Sequence, residues 1–228
     1  MIRALAIKAV VFDLDGTIVN FNIDYKSVRA EVIQFLTRHS FPSSVCSLED
    51  GIFDMLKKAE IRMRSNGEDE QKIAQLKGEA LSLVGRHELK AAQMTSLMPG
   101  ALETLKELRR RGLKTAIFTI NSQSSTGNVL RCLGLKDFFD VVITRNSVPE
   151  VKPNPTHLET TLKALGVKPE EAIVVGDSVS DMKCARELDV TAIGVTTGIS
   201  SPKELTLAGA TYLIPSLTNM LPLIEQLK

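Results

Sequence analysis

The sequence carries almost no excess charge of either sign: 28 Lys and Arg stand against 27 Asp and Glu, a net charge of +1. So balanced a chain has no global field to hold nucleic acid or an anionic membrane, and neither is expected as a partner. Cysteine is sparse. Cys46, Cys132 and Cys184 are far apart, odd in number and without CxxC spacing, which argues against a zinc or redox pair and leaves buried free thiols as the expectation. No apolar run approaches the ~18 residues that span a bilayer and no charged-then-apolar leader opens the chain, so a cytoplasmic protein is expected. Internal repeats, low-complexity tracts and flexible linkers are missing too. What remains is an ordinary folded chain of 228 residues, 43% hydrophobic, long enough for one large domain or a domain with an insertion. Small-molecule chemistry is the expected business of such a chain.

What is present is concentrated first in Ala9 to Thr17, AVVFDLDGT. The apolar run predicts a buried strand, and the aspartates that follow at once fall at the carboxyl edge of a parallel sheet, where open α/β sheets do their chemistry. Asp13 and Asp15 are two apart, so on a continuing strand they share one side, and Gly16 permits backbone that other residues resist. Such a pair suits a nucleophile and a proton shuttle, or a metal site. The alternative is a plain Asp-Gly turn with a capping aspartate.

From Asp24 the pattern turns helical. Val28, Val32, Phe35 and Leu36 predict a helix to about His39. Ser47 to Asp50 reads as the start of a second helix, running to Arg64 before Ser65-Asn66-Gly67 breaks it. Ile73, Leu76, Ala80, Leu83, Val84, His87, Ala91 and Met94 predict a long third helix despite Gly78 and Gly85, with His87 on that stripe expected as a hydrogen-bonded core histidine, the alternative being one that reaches the site. This all-helical stretch of roughly 75 residues has the size of a small domain. Met98-Pro99-Gly100 ends it. A further helix then closes with Arg109, Arg110 and Arg111, cations that complement its dipole and are assigned no catalysis.

Beyond Gly112 strands and helices alternate: strands at Lys114 to Thr119, Asp140 to Ile143, Ala172 to Val175 and Thr191 to Val195, helices at Ser125 to Leu133, Thr156 to Leu165 and Asp181 to Leu188. The tail reads as a short helix, a brief strand around Thr211 to Ile214 and a closing helix. The expected fold class is α/β, a Rossmann-like doubly wound parallel sheet, with residues 1–20 and 99–228 forming the core domain and residues 21–98 an inserted all-helical cap.

Three more motifs stand at strand ends. TAIFT delivers Thr119, whose hydroxyl and nearby backbone N–H groups suit a phosphate oxygen, with Asn121 two residues on. VKPNP sets Lys152 before a proline just ahead of a helix, an ammonium on a flexible stem. IVVGDSVSD brings Asp177 to a strand end and Asp181 to a helix start, where a cap is as natural as a site role. His39 and His157 read as helix-end or surface residues.

These four motifs, in order and with a helical insertion after the first, resemble the haloacid dehalogenase superfamily, and the cap resembles in type that of its phosphoglycolate phosphatases and β-phosphoglucomutases. The resemblance implies a magnesium-dependent phosphatase acting on a small phosphorylated metabolite, with an aspartyl phosphate on Asp13 and Asp15 as general acid and base. It implies that Asp13, the Asp15 backbone carbonyl and Asp177 bind Mg2+ with Asp181 in support, and that Gly16, Thr17, Thr119, Asn121 and Lys152 hold the phosphate. Ile120 stands between Thr119 and Asn121 where the family often places an asparagine or small residue directly. Asn20 and Phe21 stand where many members of this cap type carry an acidic residue and Ser or Thr. A phosphomutase remains the nearest alternative, a receiver-type signalling module a distant one, and Asp15 argues against a dehalogenase because a halide leaves without a proton. The chain is expected as a monomer or homodimer.

Overall fold

The computed structural model describes residues 7–20 and 23–226. Phe21, named above for its departure from the family pattern, lies outside them. The chain divides into two compact units, Met1–Phe21 with Ala92–Lys228, and Asn22–Ala91.

The first unit is built on six parallel strands, β1 (Ala9–Phe12), β2 (Lys114–Phe118), β3 (Val141–Ile143), β4 (Ala172–Gly176), β5 (Thr191–Val195) and β6 (Tyr212–Ile214), in the order β3-β2-β1-β4-β5-β6. Strand order reverses at β1, so the crevice of this doubly wound sheet opens between the carboxyl ends of β1 and β4. Register sharpens that placement. Phe12 pairs with Ile117 on one side and Val175 on the other, so the residues just past each strand leave the same edge.

Alternation along β1 sorts its side chains between two cores. Val10 and Phe12 pack with Leu105 and Leu108 of α4 (Ala101–Arg110), Val129 and Leu130 of α5 (Gln123–Cys132), and Ile224 of α9 (Met220–Gln226). Ala9 and Val11 face the opposite cluster, which draws on α6 (Thr156–Leu165), α7 (Val179–Glu187) and α8 (Pro202–Ala208). With both faces covered, the strands read as continuous apolar runs. Ala92, Leu97 and Met98 pack against the first of these clusters.

The second unit is helical: α1 (Tyr25–Arg38), α2 (Ile52–Ser65) and α3 (Glu70–Ala92), with Val28, Val32, Leu36, Met55, Leu56, Ala80 and Val84 in one core. Gly78 and Gly85 do not interrupt α3, because an apolar stripe along the helix outweighs ~1 kcal/mol per glycine. Ser47 to Asp50 is not the first turn of α2. The Asp50 carboxylate accepts from the Ser47 N–H at 2.8 Å and from Lys58 at 2.7 Å, a local turn, and the helix begins after Gly51. His87 is no core histidine either: its Nε2 lies 2.6 Å from Glu31, with about a third of the side chain exposed.

The thiol expectation also needs correcting, since only Cys184 is buried, Cys46 is half-buried and Cys132 is exposed. The three arginines at the end of α4 have surface partners: Arg110 and Arg111 bond Glu107, and Arg109 bonds the Asp137 carbonyl.

Candidate active site

The β1 strand ends in Asp13, and the chain then folds tightly on itself: the Gly16 N–H donates to the Val19 carbonyl at 2.8 Å, and Leu14, Ile18 and Val19 are fully buried. Gly16 has φ +76°, and a Cβ there would lie 2.6 Å from an Asp177 carboxylate oxygen. Position 16 therefore excludes a side chain twice over, by backbone conformation and by close approach. Thr17, buried in the same turn, donates its Oγ1 to Asp177 Oδ1 at 3.2 Å.

Asp13, Asp177 and Asp181 converge from β1, β4 and α7, each offering a carboxylate oxygen within 4.8 Å of the others. Lys152 reaches in from the loop before α6, its Nζ 2.7 Å from Asp13 Oδ1 and 2.6 Å from Asp181 Oδ1. All four are buried. Asp181 caps its helix and also reaches Lys152. Its Oδ2 caps α7 through the Ser178 N–H (3.0 Å) and hydroxyl (2.6 Å), and its Oδ1 pairs with Lys152.

One ammonium among three carboxylates leaves an excess of negative charge in a place with little water. Burial raises the Asp13 carboxyl well above the usual range, against the pull of Lys152, and burial with Asp181 nearby raises Asp177 to about 6. Burial works to lower Lys152, but Asp13 and Asp181 outweigh it and hold the ammonium above its ordinary value. Three hard oxygen donors with unmet negative charge fit a divalent cation such as magnesium; the Cys184 thiol near them, burial pushing it up to about 12, is not a thiolate and makes no soft ligand for zinc.

Thr119 and Asn121 also arrive at this edge. Asn121, behind β2, is buried and donates Nδ2–H to Asp15 Oδ2 at 2.5 Å, while its backbone N–H donates to Thr119 Oγ1 at 3.2 Å. The structure thus brings together all nine residues singled out in the sequence. It turns Thr17 toward Asp177 and the Asn121 side chain toward Asp15.

Other contributors were missed. The Ile199 N–H donates to Asp177 Oδ2 at 3.0 Å and the Thr197 hydroxyl to the Gly16 carbonyl at 2.8 Å; both lie in the loop after β5, where a Cβ on Gly198 would fall 1.7 Å from Asp177 Oδ2. The Thr-Gly pair just past a strand was the available signal. Lys152 Nζ sits 4.2 Å above the Phe118 ring.

His157, read from sequence as a helix-end or surface residue, stands in the first turn of α6 but is fully buried. Its Nδ1 accepts the Lys152 backbone N–H at 3.3 Å, and its ring meets Phe118 edge-on. Accepting at Nδ1 requires a neutral ring, and burial beside Lys152 pushes the imidazole down to about 3. Against an ordinary value near ~6.5, this group's contribution to stability is whole above that pH. It is lost as pH falls toward the folded value, by up to about 1.4 kcal/mol per pH unit. The raised carboxyls act oppositely, their contribution complete below the ordinary carboxylate range and lost as pH rises through about 6 for Asp177. Comparing urea unfolding of the wild type and His157→Asn between pH 7 and 4 separates the two effects. Stability of the variant should fall less steeply with acid, and parallel curves would contradict a buried neutral imidazole.

The family model for a haloacid dehalogenase-like hydrolase matches residues 7–189. The chain belongs to this family. The hydrolase is 27% identical over 223 residues to a phosphoglycolate phosphatase of Nitrosospira multiformis, covering 97% of each chain. It is 26% identical over 231 residues to pyrophosphatase PpaX of Bacillus cereus, covering 98% of this chain and 99% of that one. Among solved structures, a hydrolase from Pseudomonas syringae superposes with a TM-score of 0.71 at 24% identity, covering 96% of this chain and 98% of that one, a likeness of fold. No described helix of the hydrolase is long and apolar enough to cross a membrane.

Proposed function

We propose that this hydrolase is a magnesium-dependent phosphatase that cleaves a small phosphorylated metabolite through a covalent aspartyl phosphate on Asp13. The observation that carries the reading is a buried strand-end aspartate joined at 2.7 Å to a buried lysine, beside two further carboxylates. Relatives named phosphoglycolate phosphatase and pyrophosphatase support phosphoryl chemistry without choosing a substrate.

Magnesium, held by Asp13, Asp177 and the Asp15 carbonyl with Asp181 in support, would offset the negative charge that otherwise keeps an anionic nucleophile from an anionic phosphate. The Asp13 carboxylate attacks phosphorus, forming an O–P bond as the ester P–O bond breaks. Lys152, kept charged by its carboxylate partners and steadied by Phe118 and His157, neutralises phosphoryl oxygens, and Thr119 lies at the same edge to orient them. Asp15 gives a proton to the departing oxygen and later takes one from the water that hydrolyses the acyl phosphate. The inserted helical segment, by this reading, supplies substrate choice.

The test is phosphate release from a panel of phosphoglycolate, sugar phosphates, nucleotides and an aryl phosphate, with magnesium and with chelator. Release that depends on magnesium is expected from at least one member, the ranking narrowing the substrate class. Release unchanged by chelator would remove the metal from the mechanism. Silence across the panel would favour a mutase that protects its acyl phosphate.

A further inference from the structure

Asn121 offers one side-chain donor to Asp15 Oδ2 at 2.5 Å, while its own Oδ1 is buried with no hydrogen-bond partner among the described residues. Buried polar atoms are nearly always satisfied, so an amide that meets a carboxylate with its nitrogen and leaves its oxygen without a donor is held there for that contact. Oδ2 of Asp15 accepts from the amide whether or not Oδ1 carries a proton, and the amide is placed with Nδ2 toward it. The placement is reinforced from behind: the Asn121 N–H rests on Thr119 Oγ1, and the Asn121 carbonyl accepts from the Arg145 N–H at 3.2 Å.

We propose that Asn121 is a positioning residue for the general acid, acting on leaving-group departure and not on the phosphate. The proposal rests on the phosphatase reading. With an N–H donor on Oδ2, the proton to be transferred is directed to Oδ1 of Asp15, and the carboxyl plane is fixed. In the first step the ester P–O bond breaks with its electron pair going to oxygen, the Asp15 O–H bond breaks, and a new O–H bond forms on the leaving alcohol. Asp15 is left as a carboxylate that still accepts from Asn121. Position 121 thus carries an asparagine two residues past the strand-end threonine because that spacing reaches Asp15.

A purely structural role would slow all substrates alike, whereas a role in proton donation depends on how badly the leaving group needs the proton. The experiment measures kcat/KM of the wild type, Asn121→Ala and the isosteric Asn121→Asp on an activated nitrophenyl phosphate and an unactivated alkyl phosphate, with melting curves to confirm folding. Each variant should lose on the order of 10²-fold on the alkyl ester, the scale of general acid catalysis, and only a few-fold on the nitrophenyl ester. In an Asp15→Ala background, Asn121→Ala should add no further loss on either. Equal losses on both esters, or full additivity with Asp15→Ala, would overturn the proposal while leaving the phosphatase reading standing. A wild type that releases phosphate from neither ester nor any other member of the panel would overturn both. If Asn121→Ala does not fold, the Asn121→Asp comparison decides alone.

Discussion

Replacing Asp13 by asparagine should lower phosphate release on the order of 10⁴-fold or more, while leaving the metal-free protein at least as stable as the wild type. The two halves of this expectation have one physical origin. Burial holds the Asp13 carboxyl well above the usual carboxylate range, so its charge is a cost to the fold that the Lys152 contact at 2.7 Å only partly offsets. The amide of asparagine has the same shape, carries no charge and cannot attack phosphorus, and Lys152 keeps Asp181 at 2.6 Å as its partner. Activity and stability therefore move in opposite directions, as they do where a site is built at the expense of the fold. Phosphate release and thermal melts on one preparation check both. Residual activity within ten-fold of wild type would remove Asp13 from the nucleophile's role, and a large drop in melting temperature would mean that the Asp13 charge supports the fold.

Lys152→Met should do the reverse to stability. Removing the ammonium strands Asp13, Asp177 and Asp181 together in a buried place, and breaking a buried ion pair from one side costs about 3–5 kcal/mol. For a chain of this length that corresponds to a melting temperature lower by roughly 6–20 °C. The sign of the pH dependence is diagnostic. Without the lysine the carboxyls rise further, so their contribution is whole at low pH and lost as pH rises through their folded values. The variant should regain part of its deficit at pH 5 relative to pH 7.5, against the ordinary course of acid unfolding. Added magnesium at pH 7.5 should restore stability as well, since it meets the same unbalanced charge. Melting curves at the two pH values, with and without magnesium, are the measurement; a variant within about 2 °C of wild type throughout would show that the carboxylates are not electrostatically dependent on Lys152.

Much of this site was legible in the sequence because its residues sit where periodicity stops. Asp13, Thr119 and Asp177 each follow a short apolar run, and runs of that length alternating with amphipathic helices read as buried parallel strands. The helices of the second unit were legible for a similar reason, their apolar positions recurring at threes and fours. Local competition was not legible: Ser47 to Asp50 has the composition of a helix start, yet the Asp50 carboxylate bonds the Ser47 N–H and Lys58, and α2 waits until Ile52.

Taken alone, the sequence determined most of the strands and helices, that the sheet is parallel, and that Asp13 and Asp177 follow strands while Lys152 and Asp181 stand by helix starts, because those features follow from local pattern and the chain's order. Only the tertiary structure decided partners. That Lys152 bridges Asp13 and Asp181, that Thr17 and Ile199 both hold Asp177, that Asn121 faces Asp15, and that His157 lies buried beneath the lysine are contacts between residues mostly remote in sequence. Strand order and register set them, and neither is written in the spacing of any single segment.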